Sequence, residues 1–162
     1  MLKNPIAIWC GITLMLVSCS QKSEKPSDKP PETPGAKGDL ELLQGTWEID
    51  ASEIDGKRQE MPAELRGKFH WVFTGDKIRA TDAEGGYEAT WSIDASKNPK
   101  TFDMTIISGS DKGSSTLGLY ELDGDSLKLC YGENRPAGKI RPTEIRSTKD
   151  YGIAYFKRSA AR

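Results

Sequence analysis

The chain has 162 residues, 36% of them hydrophobic, and sets 23 Lys and Arg against 24 Asp and Glu for a net charge of −1. That length allows a single domain with a hydrophobic core of useful size. The charge balance leaves no basic stripe to neutralise phosphates, so nucleic acid is not an expected partner.

At the amino end, Lys3 supplies a positive flank and residues 6–17 form an apolar run of about a dozen, within signal-peptide length and short of the roughly 20 that span a bilayer. Leu16-Val17-Ser18-Cys19 closes the run with a small residue before Cys, the pattern that marks a bacterial lipoprotein for cleavage and acylation. Residues 1–18 therefore read as a lipoprotein signal peptide, and Cys19 as the lipidated first residue of an exported protein. The expected location is the cell membrane or outer membrane, with the domain facing the periplasm or exterior. Ser20, rather than Asp, after the acylated Cys resembles the pattern of lipoproteins passed to the outer membrane. Several acyl chains make a durable anchor, because each buried methylene contributes about 0.8 kcal/mol.

Residues 19–38 read as a disordered tether. They are rich in Pro, Lys, Ser and Glu, and Pro26, Pro30, Pro31 and Pro34 are expected to block regular structure. Such a segment reaches from about 25 Å as a coil to about 60 Å as extended polyproline. The folded domain is then 39–162, carrying roughly −3 once Lys3 and the tether's four Lys and three acids are set aside.

From Leu43 onward, short alternating runs separated by turn signals predict an all-β fold. Trp47, Ile49 and Ala51 alternate with Thr46, Glu48 and Asp50. Phe69, Trp71 and Phe73 alternate with His70 and Val72. Tyr87, Ala89, Trp91 and Ile93 alternate with Glu88, Thr90, Ser92 and Asp94. Further strands are expected at 77–81, 102–107, 116–122, 126–131 and 152–158, about eight in all. Gly75-Asp76, Gly85-Gly86, Asp111-Lys112-Gly113 and Asp123-Gly124-Asp125 tolerate the positive φ of tight hairpins. A meander of this size closes into an antiparallel up-and-down barrel or must protect its edges. Residues 60–68 can hold one short helical turn, and 134–144, with Pro136 and Pro142, read as a long loop before the last strand.

Few residues offer chemistry. His70 is the only histidine, so neither a Ser-His-Asp triad nor a multi-histidine metal site assembles easily, and its alternation places it outside the barrel. With Cys19 acylated and Cys10 in the signal, Cys130 has no disulfide partner; it reads as a small buried hydrophobe, a reactive thiol being the alternative. Asp123-Gly124-Asp125 lacks the spacing of a calcium loop and suits a hairpin. No catalytic constellation, cofactor or metal is expected. The aromatic residues carry the binding potential: Trp71, Phe73, Tyr87 and Trp91 are the expected lining of the interior. An eight-stranded barrel is just wide enough to fill with side chains or to hold one small ligand, and both outcomes stay open.

Leu43-Gln44-Gly45-Thr46-Trp47-Glu48 resembles the Gly-x-Trp first strand of lipocalins and related calycin barrels. That resemblance implies a structural closure in which Lys157 or Arg158 lies over Trp47. Across most of the domain, Asp55-Gly56-Lys57, Phe73-Thr74-Gly75-Asp76-Lys77, Asp94-Ala95-Ser96-Lys97-Asn98-Pro99-Lys100, the run from Gly118-Leu119-Tyr120 to Lys128-Leu129-Cys130, and Arg141-Pro142-Thr143-Glu144 resemble an uncharacterised lipocalin-like domain family known chiefly from planctomycetes. The family implies a lipocalin-like barrel and a lineage, and no catalytic residues. The expected role is a membrane-anchored binding module of the cell envelope, partnered by the membrane through Cys19 and by a small apolar ligand or an envelope protein. The alternative is a ligand-free structural or protein-interaction domain that uses its outer strands or the 134–144 loop. An interior void of about 300 Å³ or more separates the two, being the lower end of ordinary ligand pockets.

Overall fold

The computed structural model of the chain describes residues 34–81, 85–132 and 140–159. The expected signal, Cys19 and most of the expected tether lie outside these residues. One helix, α1 (Pro34–Leu43), precedes nine strands: β1 (Gly45–Ile54), β2 (Lys57–Glu60), β3 (His70–Thr74), β4 (Lys77–Thr81), β5 (Tyr87–Asp94), β6 (Lys100–Ile106), β7 (Ser115–Asp123), β8 (Ser126–Gly132) and β9 (Tyr151–Arg158). All neighbours are antiparallel, in the order β2-β1-β3-β4-β5-β6-β7-β8-β9, and β9 pairs back onto β1. Eight strands thus form a closed up-and-down barrel, with β2 beside the second half of β1. Lys57, Arg58, Gln59 and Glu60 are all exposed, which is why apolar alternation did not reveal β2.

Tight hairpins set the register. Between β3 and β4 the two-residue loop is Gly75-Asp76, and between β7 and β8 it is Gly124-Asp125, with Gly φ of 59° and 54°. A type II′ hairpin needs that sign at its first loop position. The short turn expected within 60–68 is a 3₁₀ turn at Ala63–Leu65.

Helix α1 begins at Pro34, inside the segment expected to be tether. Proline at a first helical position loses no hydrogen bond, because that amide has no partner in any helix. Leu40 and Leu43, three residues apart, share the face that packs into the barrel core, leaving Leu42 57% exposed. Asp39 Oδ2 accepts from Lys100 Nζ at 2.7 Å and from the Tyr120 hydroxyl at 2.6 Å. Gln44 exchanges side-chain hydrogen bonds with the backbone of Gly75. The helix therefore closes the end of the barrel where β1 starts and β9 finishes.

The alternation expected for β1 breaks at its middle. Its register against β9 shifts between Ile49, opposite Phe156, and Ala51, opposite Tyr155. The extra residue, Asp50, is a bulge, and a bulge reverses the facing of everything after it. Trp47 and Ile49 point inward with Phe156, whereas Ala51 joins Glu53 and Tyr155 on the outer face, the latter two being hydrogen-bonded at 2.7 Å. Ala51 is thus on the opposite face from the one expected, and Ser52 and Ile54 turn inward instead.

A second, smaller core lies outside the barrel. Leu119, Cys130 and Ile153 pack beneath Ile145, and residues 140–148 run across the outer wall as a strap. Arg141 donates to Gly118 O at 2.5 Å and to Asp103 Oδ1 at 2.6 Å, fixing one end. Ser147 fixes the other: its hydroxyl donates to Glu53 at 2.6 Å and accepts from the Gly56 amide.

Candidate ligand site

The interior is built from strand positions that alternation placed there. Trp71 and Phe73 on β3 and Trp91 on β5 are buried in the main core, with Tyr87 packed against it at partial exposure. Their rings touch in sequence. Tyr87 meets Trp71 edge-on at 6.4 Å, Trp71 lies 6.2 Å from Phe73, and Phe73 meets Trp91 edge-on at 4.9 Å. All four expected lining residues therefore share one surface. Phe102 continues it beside Trp91 at 6.2 Å, and Phe156 packs 5.1 Å from Trp71. Phe102, Met104 and Phe156 extend the lining beyond the four residues expected there, as their inward alternation on β6 and β9 indicates.

Burial divides the interior into two depths. Toward α1, Trp47, Phe73, Ile78, Phe102 and Leu127 are 0–2% exposed. Trp71, Trp91, Met104 and Ala154 retain 6–7%, surface that solvent still reaches. Small residues at Ala80, Ala89, Ala154 and Gly118 face the same space, leaving the large rings room on one side. Between Lys100 and Arg158 at the closed end and Lys57 at the far side of β1, no inward-facing described position carries a charge.

Past the bulge, Ser52 and Ile54, their β2 partners Gln59 and Lys57, and Asp55 of the turn between the two strands line a cleft of about 230 Å³, so its rim carries one acid and one base. Ser52 pairs with Ala154, whose side chain belongs to the interior, so the cleft continues the concave face toward the rim. Nothing in the sequence announced this cleft, because the Asp50 bulge creates it. Its volume falls below the range of about 300–1,000 Å³ typical of drug-sized sites.

Trp91 carries the most informative atom of the site. Its Nε1 is buried and has no hydrogen-bond partner. A desolvated N–H without an acceptor costs about 1–3 kcal/mol, so native interiors seldom keep one without a use.

Trp47 has no such vacancy. Its Nε1 donates to Leu43 O at 2.8 Å, and the Arg158 guanidinium sits 4.2 Å from the ring centroid. Arg158, not Lys157, takes this place because it is the register partner of Trp47. Arg158 also bonds Asp125 Oδ1, Gln44 O and Leu42 O, tying the last strand to the helix end.

The remaining candidates fall elsewhere. His70 opens β3 opposite Glu48, half-buried and away from the lining. Cys130 lies under the strap, its thiol 3.7 Å from Arg146 O, and burial pushes its pKa up, which disfavours the reactive thiolate. Asp123-Gly124-Asp125 forms the β7–β8 hairpin, with Asp125 engaged by Arg158. Among the described residues no group of His, Cys, Asp and Glu could hold a metal ion, and no helix is long and apolar enough to cross a membrane. Comparison of the chain with protein-family models, with curated proteins and with solved structures returns no match.

Proposed function

We propose that the protein is a lipid-anchored, lipocalin-like binding module of the cell envelope whose barrel interior takes a small apolar ligand. The observation that carries the reading is the uncharged aromatic lining of Trp71, Phe73, Tyr87 and Trp91, of which Trp71 and Trp91 keep 6% of their surface within reach of solvent. Apolar surface of this kind gains roughly 25 cal/mol per Å² when a ligand displaces water from it. Cys19 would hold the module at the membrane, and the residues ahead of α1 would space it from the bilayer. The segments running from Asp55-Gly56-Lys57 to Arg141-Pro142-Thr143-Glu144 support membership of the uncharacterised planctomycete family. In the structure they form the β1–β2 turn, three further hairpin regions and the strap.

The competing reading is a packed interaction domain. The nearly complete burial of the half next to α1 and the modest size of the cleft favour it.

Mass spectrometry of small molecules extracted from the full chain, purified from membranes, separates the two. A recurrent apolar compound at near-equimolar amount supports the binding module. Clean protein under several extraction conditions overturns it. For the anchor, Cys19→Ala should move the protein from the membrane to the soluble fraction, and unchanged membrane retention would refute lipidation at that residue.

A further inference from the structure

Resting on the interior site just proposed, we infer that its ligand is an uncharged molecule with a hydrogen-bond acceptor, such as a carbonyl or ether oxygen, received by Trp91 Nε1. Three observations converge. The indole N–H is buried without a partner, on a residue 94% shielded from solvent. The ring is held from two sides, edge-to-face by Phe73 at 4.9 Å and alongside Phe102 at 6.2 Å, so the donor cannot swing away to find an acceptor. The inward-facing described positions around it are apolar or neutral, so a ligand charge would lie buried and unpaired, at a cost of several kcal/mol. A purely hydrocarbon ligand would leave the N–H as it stands, whereas one acceptor oxygen would satisfy it.

Selective labelling of the tryptophans with ¹⁵N in the full chain gives each indole N–H its own signal. The probes are acetophenone, its hydrocarbon isostere ethylbenzene, and benzoate. Acetophenone should bind most tightly and move the Trp91 indole proton downfield, leaving the Trp47 signal in place. Ethylbenzene should bind more weakly without that shift, and benzoate weakest of all. Trp91→Phe removes the N–H together with part of the lining ring, so it lowers both affinities, and acetophenone should lose about five- to tenfold more than ethylbenzene, the scale of one buried hydrogen bond.

Equal binding of acetophenone and ethylbenzene, with Trp91→Phe lowering both by the same factor or neither, would overturn the acceptor inference and leave the interior site standing. Failure of all three probes would count against the interior site itself. An upfield Trp91 proton in the unliganded protein that moves on Phe73→Leu would show the N–H resting on the Phe73 face, and would also overturn the inference.

Discussion

Of the three tryptophans in the core, Trp47 and Trp91 anchor different parts of the barrel and differ in what their N–H groups meet. Trp47, at the closed end, has its N–H bonded to Leu43 O, its ring under Arg158, and a neighbourhood in which Asp39, Lys100, Tyr120 and Gln44 all find partners. Trp91, 6% exposed against 0% for Trp47, is packed among aromatic rings, yet its N–H meets nothing. A closed end whose polar atoms are paired is built for stability. A donor left over in an otherwise apolar interior gives up some stability, and such a loss is expected where a protein reserves a group for something else.

Substitutions can break this contrast. The largest expected effect is Trp47→Ala, which removes a fully buried ring beneath Arg158 and should cost about 3–5 kcal/mol by urea unfolding. Asp39→Asn comes next. It weakens both the Lys100 pair and the Tyr120 hydrogen bond that dock α1, and should cost about 1–2 kcal/mol, with faster amide exchange at the start of β1. A direct comparison follows from trimming each indole to phenyl. Trp47→Phe loses a made hydrogen bond and should cost about 1–2 kcal/mol. Trp91→Phe loses the same part of its ring but an N–H that bonds nothing, so it should cost about 1 kcal/mol less than Trp47→Phe in the absence of ligand. Equal losses at the two sites would end the distinction.

The outer wall offers a smaller, pH-dependent test. Hydrogen bonds from Ser147 and then Tyr155 hold the Glu53 carboxyl below the usual carboxylate range, with Arg58 lying 4.1 Å from the Tyr155 ring centroid. A carboxyl lowered on folding contributes stability above its unfolded pKa and loses it as pH falls through the folded value. Glu53→Gln should therefore be slightly less stable at neutral pH, and its urea midpoint should fall less than that of the parent on going to about pH 3. A parallel fall in both proteins would show that the Ser147 and Tyr155 contacts carry no linkage.

Alternation was enough to expect a barrel and to gather Trp71, Phe73, Tyr87 and Trp91 on one face, because apolar residues at every second position leave a strand one way to bury them. Three features escaped it. The Asp50 bulge arises from pairing with β9, more than a hundred positions away, and no local pattern around Ile49 and Ala51 reveals it. Helix α1 is too short to form on its own strength and depends on Asp39, Leu40, Leu43 and Gln44 finding barrel partners. The strap at 140–148 is held mainly by one arginine fork and one serine hydroxyl, contacts whose acceptors lie on β6, β7 and β1. The cleft shares that origin, since only the bulge brings Ser52 and Ile54 to the concave face.

The most direct test of the central claim compares the thermal unfolding midpoint of the full chain as purified from membranes with that of the same protein after organic extraction and refolding. A ligand bound to the folded state alone raises stability by RT ln(1 + [L]/Kd), so extraction should lower the midpoint and return of the extract should restore it. Identical midpoints before and after extraction, with nothing recovered in the extract, would contradict an interior that holds a ligand.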